Sequence, residues 1–352
     1  MTQGKNKEAK QFGEESLALF SEIGDRWGKT RCLRLLSNAA HWGGQLEKAE
    51  QLWQEALAAC REIGDDRIGY ALENLGIIAM AHGAYQQAQQ YLDEGVALSR
   101  ESGDLLSVAD GLRERGRLAI AQGEYTQAAQ TIQESLSIYN QIGRSNLGAA
   151  LSYLGMALHL QGQYEEAESL YQKGLAASQA AGHRPEIAGC LRGLGRLAHD
   201  RGDYYQAEQS LQESLAIWQQ IEHEPEIALV LCNLGHVLAA SDENRKAEAR
   251  QFYEQALKLA LKHRLAPVAL DVFIGVAGLL AQRQKTHKAV ELLSLVKDHP
   301  ASTHETREKA NQLLTTSLPA STIAAIQAPG QILDWQTTAN QIVEELSTPD
   351  WG

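Results

Sequence analysis

Apolar and small residues recur along this chain at the spacing of one helix face, and glycines punctuate them. After Gly83, residues Ala88, Tyr91, Leu92, Gly95 and Leu98 trace the i, i+3, i+4, i+7 stripe of a buried helical surface. Leu154 to Ala167 joins the end of one amphipathic helix to the start of another through a turn at Gly162. Near-copies lie at Leu75 to Ala88, Arg115 to Ala128 and Leu194 to Ala207. The pattern predicts helix hairpins in series, stacked so that neighbours cover one another's apolar faces.

The period reads column by column. The alanine that opens each second helix falls at Ala9, Ala49, Ala88, Ala128, Ala167, Ala207, Ala249 and Ala289, in steps of 40, 39, 40, 39, 40, 42 and 40. Five positions earlier stand Gly44, Gly83, Gly123, Gly162 and Gly202, then Asn244 and Gln284. Three earlier stand Leu46, Tyr85, Tyr125, Tyr164 and Tyr204, then Lys246 and Thr286. The first helices carry a small-residue column: Ser37, Gly76, Gly116, Gly155, Gly195, Gly235 and Gly275. The turn glycine reaches left-handed backbone at no side-chain cost. The tyrosine after it packs its ring over the hairpin end and keeps its hydroxyl wet. A glycine within a helix costs roughly 1 kcal/mol of propensity, which close approach of a partner helix offsets.

Leu75, Gly76, Gly83, Tyr85 and Ala88 match the tetratricopeptide repeat pattern, and over about residues 8–298 the chain resembles that family. Its repeat departs from the usual length of about 34 residues, and the closing proline is mostly absent. The long form is similar to repeats in the sensor regions of bacterial signal-transducing ATPases of the STAND class, and to those of some eukaryotic adaptors. The resemblance implies an all-α, right-handed superhelical solenoid with a concave groove lined by the first helices. Residues 1–24 read as the second helix of a truncated repeat, without its first helix. Residues 25–298 read as about seven hairpins, the last two degenerate, with a two-residue insertion between Ser241 and Glu248. Residues 299–352 read as a helical C-terminal cap, with helices over Thr303–Thr315, Pro319–Gln327 and Asp334–Leu346. The stretch from His299 through Pro319 is similar to segments that close such arrays in the ATPase regulators.

A formal charge of −12 argues against general binding to nucleic acid or an anionic membrane. Cys32, Cys60, Cys190 and Cys232 form no CxxC pair and sit on apolar helix faces, as small hydrophobes do in a reducing cytoplasm. The polar start, Met1 to Lys10, lacks the apolar core of a signal peptide, and no apolar run reaches the ~18 residues of a membrane span. Cytoplasmic location is the expectation.

Catalytic signatures are missing: no GxxxxGK[ST], HExxH or GxSxG, and no strand precedes Gly189, Gly193 and Gly195. Those glycines read as packing notches, and the chain as a non-enzyme needing no cofactor. His41, His159 and His199 take the same first-helix position in different repeats, with His236 nearby in register. Equivalent positions in adjacent repeats stand roughly 8–10 Å apart, too far to converge on one ion, so these histidines read as polar groove lining.

In the tetratricopeptide register the concave face takes Arg31, Arg34, Asn38 and His41, then Tyr70, Glu73, Ile77 and Met80. Asp110, Arg113, Arg117 and Ile120 follow, then Ser152, Met156 and His159, then Arg192, Arg196 and His199, and last Cys232 and His236. Arginine suits planar, bidentate recognition of carboxylate or phosphate. The expected partner is therefore a protein or peptide, acidic or phosphorylated; the plainer alternative is that the arginines pair with Glu73, Asp110 and nearby acids and hold repeats together. Two roles are compatible with this reading: the sensor arm of a signalling ATPase or transcription regulator, working with an upstream nucleotide-hydrolysing domain, or a free-standing scaffold that binds a peptide or helix.

Overall fold

The computed structural model describes residues 2–65, 67–144, 147–316 and 334–348, with residues 2–10 described by their backbone alone. Among the described residues there are seventeen α-helices and no strand. Helix α1 (Thr2–Glu22) stands first and packs on α2. Seven hairpins follow: α2 (Arg26–Trp42) with α3 (Leu46–Ile63), α4 (Ile68–His82) with α5 (Tyr85–Ser102), and α6 (Leu105–Gln122) with α7 (Tyr125–Gln141). Next come α8 (Gly148–Leu160) with α9 (Tyr164–Ala181), α10 (Arg184–Asp200) with α11 (Tyr204–Ile221), α12 (Glu224–Ser241) with α13 (Lys246–Lys262), and α14 (Ala266–Gln282) with α15 (Thr286–Asp298). The tail supplies α16 (His304–Thr316) and α17 (Trp335–Leu346). Thr303 and Asp334 cap these two helices through their side chains. The expected helix over Pro319–Gln327 lies outside the described residues.

The turns behave as their residues require. Gly162 sits at φ +81°, and where glycine is lost Gln284 still takes the left-handed turn at +62°. The inserted residues after Ser241 form a single 3-10 turn, Glu243–Arg245, capped by Asp242. Several first-helix glycines are notches for large side chains of the second helices. A Cβ on Gly155 would lie 3.1 Å from the Tyr171 ring, and one on Gly193 would lie 2.3 Å from the same ring. Tyr253 is held likewise between Gly235 and Gly275. Each ring is thus clamped between the first helix of its own hairpin and that of the next, which nests the hairpins closely.

This close nesting curls the solenoid until its ends meet. The α2–α3 turn at Gly44 abuts Pro225 at the start of α12, where a Cβ on Gly44 would come within 3.1 Å of the proline ring. The His41 and Trp42 rings pack edge-on against His223, with centroids 5.9 and 6.3 Å apart. Gly83, in the α4–α5 turn, meets Ala301 and Pro267, and Gly123, in the α6–α7 turn, meets His304. The Tyr85 hydroxyl donates to the Ala301 carbonyl at 3.1 Å, so this ring is not left wet as its position in the repeat suggests. Helix α14 is apolar from Ala266 to Leu280 except at Asp271, and is largely buried accordingly. It is covered by its own hairpin, by α4 across the groove, and by α16 and α17. One apolar cluster consequently runs from Leu33 near the start to Leu346 near the end.

Candidate functional site

Closure converts the expected open groove into a central cavity of about 480 Å³. Its wall takes Asn38, His41 and Trp42 from α2, Tyr70, Glu73, Ile77 and Met80 from α4, and Glu114, Arg117 and Ile120 from α6. Ser152, Tyr153 and Met156 of α8 and Arg192 of α10 continue it, and Thr303 and Glu305 of the tail segment complete it. Pro185, Pro225 and Pro267, in the first turns of α10, α12 and α14, line it too. Most of the wall surface is aromatic and aliphatic, and Arg117 and Arg192 are set in it among the carboxyl groups of Glu73, Glu114, Glu186, Glu226 and Glu305; its size is that of a small-ligand or short-peptide site.

The arginines divide into two kinds. Arg113 is turned behind the wall and consumed internally: it donates to Asp110 at 2.7 Å, Glu114 at 3.0 Å and the Tyr139 hydroxyl at 2.8 Å, with Glu73 at 3.5 Å. Tyr139 closes the ring of bonds by donating to Asp110. Arg117 faces the cavity, pairs with Glu114 at 2.9 Å and lies over the Tyr153 ring at 5.7 Å. Arg196 forms a two-oxygen pair with Glu305 of α16, both at 2.7 Å. For Arg113 and Arg196 the geometry is that of struts, across repeats and between array and tail. Arg192 differs: it lines the cavity, its buried Nε has no hydrogen-bond partner, and it makes no ion pair among the described residues. Arg34 stacks over Tyr70 at 5.7 Å. Arg31 is exposed and does not line the cavity.

Burial, then the neighbouring Asp110, pushes the Glu73 carboxyl well above the usual carboxylate range, and its buried Oε2 has no hydrogen-bond partner among the described residues. Burial, with His223 and Arg117 adding, pushes His41 down to about 3, so its ring is neutral. Asn38 accepts from Tyr70 at 3.1 Å. His159 and His199 do not reach this cavity: both are bonded to Asp200 at 2.9 Å, one to each carboxylate oxygen. Partial burial works against ionisation of Asp200, but the two imidazoles hold its carboxyl below the usual range. His199, Asp200 and His236 line a second cavity of about 330 Å³, with Arg196, Asp271 and Lys309.

The register argument missed Glu114, Tyr153, Glu305, Trp218 and His223, because it took one stripe of each first helix and no residue from the tail. The signal was present in the prolines at 185, 225 and 267, which mark three helix starts pointing at one space. Gly189 also departs from its expected role. It is no notch, since a Cβ there meets nothing within 4 Å, and it opens onto the central cavity.

Residues 107–180 and 186–262 match the tetratricopeptide repeat family. These two stretches carry tetratricopeptide repeats. Among solved structures, this tetratricopeptide array superposes on a Rap protein complexed with Competence and Sporulation Factor. They share 14% identity and a TM-score of 0.56, over 97% of this chain and 99% of that one. A STAND protein with a tetratricopeptide repeat sensor from Pyrococcus horikoshii is 16% identical, covering 89% of this chain and 46% of that one, with a TM-score of 0.47. BtubC from P. vanneervenii is 18% identical over 62% of this chain and 91% of that one, with a TM-score of 0.45. These are likenesses of fold. No curated protein matches the chain.

Proposed function

We propose that the array is a binding and sensing module that takes a short, carboxylate-bearing amphipathic peptide into its central cavity. One observation carries the reading. Arg192 presents a part-buried guanidinium, unpaired among the described residues, to a largely apolar space in which the other facing arginine is already paired. A buried charge without a partner is costly to keep, and a ligand carboxylate would relieve it with charge-assisted bonds. The aromatic wall, Trp42, Tyr70, Tyr153 and Trp218, supplies the apolar contact such a peptide needs. A protein of the same fold over its whole length is known in complex with Competence and Sporulation Factor, which supports a sensing role for an array of this extent.

The sensing part of the reading rests on the tail. Thr303 and Glu305 belong to the cavity wall, and Glu305 also ties α16 to Arg196. Occupancy of the cavity therefore bears on how α16 is held. Arg31, Arg34, Arg113 and Arg196 have no part in ligand contact under this proposal.

The test uses synthetic hexapeptides of equal apolar content carrying acidic, neutral or basic residues. Binding is followed by the fluorescence of Trp42 and Trp218 at the cavity wall. Acidic members should bind, and Arg192→Met should weaken them by about 10- to 100-fold, the worth of one charge-assisted contact. Gly189→Leu, which grows into open space, should block them while leaving the helix content unchanged. Equal binding of basic peptides, or unchanged affinity in Arg192→Met, would defeat the proposal.

A further inference from the structure

The geometry points to a mononuclear zinc site formed by Cys232, His236 and Asp271. Cys232 and His236 lie one turn apart on α12, and Asp271 reaches them from α14, the next first helix. Cys232 Sγ is 3.4 Å from His236 Nε2 and 3.4 Å from Asp271 Oδ2, and these last two atoms are 3.5 Å apart. Zinc binds thiolate at about 2.3 Å, imidazole at about 2.0–2.1 Å and carboxylate at about 2.0–2.2 Å. Tetrahedral angles between such bonds give ligand–ligand edges of about 3.4–3.6 Å. The triangle on α12 and α14 therefore already has the edges of one tetrahedral face, and an ion just above its plane sits at bonding distance from all three atoms.

Two further features fit a metal. The other ring nitrogen of His236, Nδ1, lies 3.0 Å from the hydroxyl of fully buried Tyr253. That contact fixes the ring orientation and leaves Nε2 free to ligate, as partners of metal-bound histidines do. The donor set of one sulfur, one nitrogen and one oxygen suits zinc or cobalt rather than magnesium or calcium. His236 and Asp271 both face the second cavity, so the fourth position opens onto a space also bounded by Arg196 and Lys309. A thiolate and a carboxylate neutralise the dication, and the two flanking cations favour water or an anionic group as the fourth ligand. Three protein ligands with one open position is the arrangement of a reactive or ligand-receiving zinc rather than a closed structural one. The inference stands apart from the peptide reading, since Arg192 does not line this cavity.

The same distances also describe a thiol donating a hydrogen bond to Asp271, and metal titration separates the two. The intact chain, stripped with a chelator, is titrated with zinc in competition with a metallochromic dye, and separately with cobalt(II). One equivalent should bind, and the cobalt form should show a thiolate-to-metal charge-transfer band with the strong visible bands of tetrahedral cobalt. Cys232→Ser should abolish the charge-transfer band. Asp271→Asn should weaken zinc at least about tenfold, and Tyr253→Phe by roughly 10-fold through the second nitrogen of His236. Circular dichroism checks that each variant is folded. A parent that binds no zinc overturns the inference, as does a cobalt spectrum that is unchanged in Cys232→Ser.

Discussion

Gly83→Ala isolates the closure of the solenoid from the behaviour of a single hairpin. Gly83 sits at φ +79° in the α4–α5 turn, where any side chain incurs a left-handed backbone cost of about 1–2 kcal/mol. A Cβ there would also lie 2.3 Å from the Ala301 Cβ and 3.0 Å from its Cα, which is backbone and cannot rotate away. Forcing that contact open adds about 1–3 kcal/mol, the usual cost of overpacking. Gly162 is the internal control: it has nearly the same φ, +81°, in the α8–α9 turn, but a Cβ meets nothing within 4 Å. Gly162→Ala should therefore lose only the backbone cost and keep the shape. Gly83→Ala should lose about 1–3 kcal/mol more in urea unfolding, and its radius of gyration by small-angle X-ray scattering should rise as the tail segment parts from α4. Equal losses with equal radii would mean that the turn does not bear on Ala301, and the closed architecture would fail.

Other expectations follow the same contacts. Gly155→Leu should cost about 1–3 kcal/mol against the Tyr171 ring despite better helix propensity, measured by urea denaturation; a stabilised variant would contradict the clamp. Arg196→Met should lose about 2–3 kcal/mol, because it leaves Glu305 with Lys309 alone at 2.8 Å. Arg192→Met should hold or raise stability, since it removes a charge that has no partner; a thermal shift of the opposite sign in either variant refutes the division of the arginines. Acid should loosen the closure. The His41 pKa is pushed down to about 3 by burial, with His223 and Arg117 adding, while an unfolded histidine titrates near 6.5. The unfolded chain therefore binds the extra proton first, and stability falls as pH drops from about 6.5 toward 3, by about 2 kcal/mol at pH 5. Burial opposes ionisation of Glu305, yet Arg196 and Lys309 hold it down to about 2. Its contribution is full above about 4.5 and is lost as pH falls toward 2, so both groups act in one direction. Urea midpoints that stay flat from about pH 7 to about pH 5 would contradict the His41 assignment.

The hairpin register was legible because its two columns, the turn glycine and the opening alanine, answer to local rules: a left-handed turn and a close helix crossing. The helix starts in the tail obey local rules too, with Thr303 and Asp334 as side-chain caps. Closure was not. Contacts such as Gly44 with Pro225 and Gly123 with His304 join distant hairpins and leave no periodic mark. Small rotations summed over seven hairpins decide them, and no single repeat encodes that sum. The same blindness explains the site. Arg113 and Arg196 occupy groove positions like Arg192, but only folding shows that Tyr139 and Glu305 reach the first two and that no described residue pairs with the third. Cys232 and His236 were visible as neighbours in register, one turn apart; Asp271 joins them only because α12 and α14 pack side by side.

Hydrogen–deuterium exchange of the intact chain, with and without the tightest-binding acidic peptide, tests most directly that a ligand enters the enclosed centre and is felt by the tail. The account predicts slowed exchange in α10 around Arg192, in α4 around Ile77, and from Thr303 to Arg307 where α16 begins, with the outer helix α9 unchanged. Slowed exchange confined to the second helices, or peptide binding that leaves Thr303 to Arg307 untouched, would contradict it.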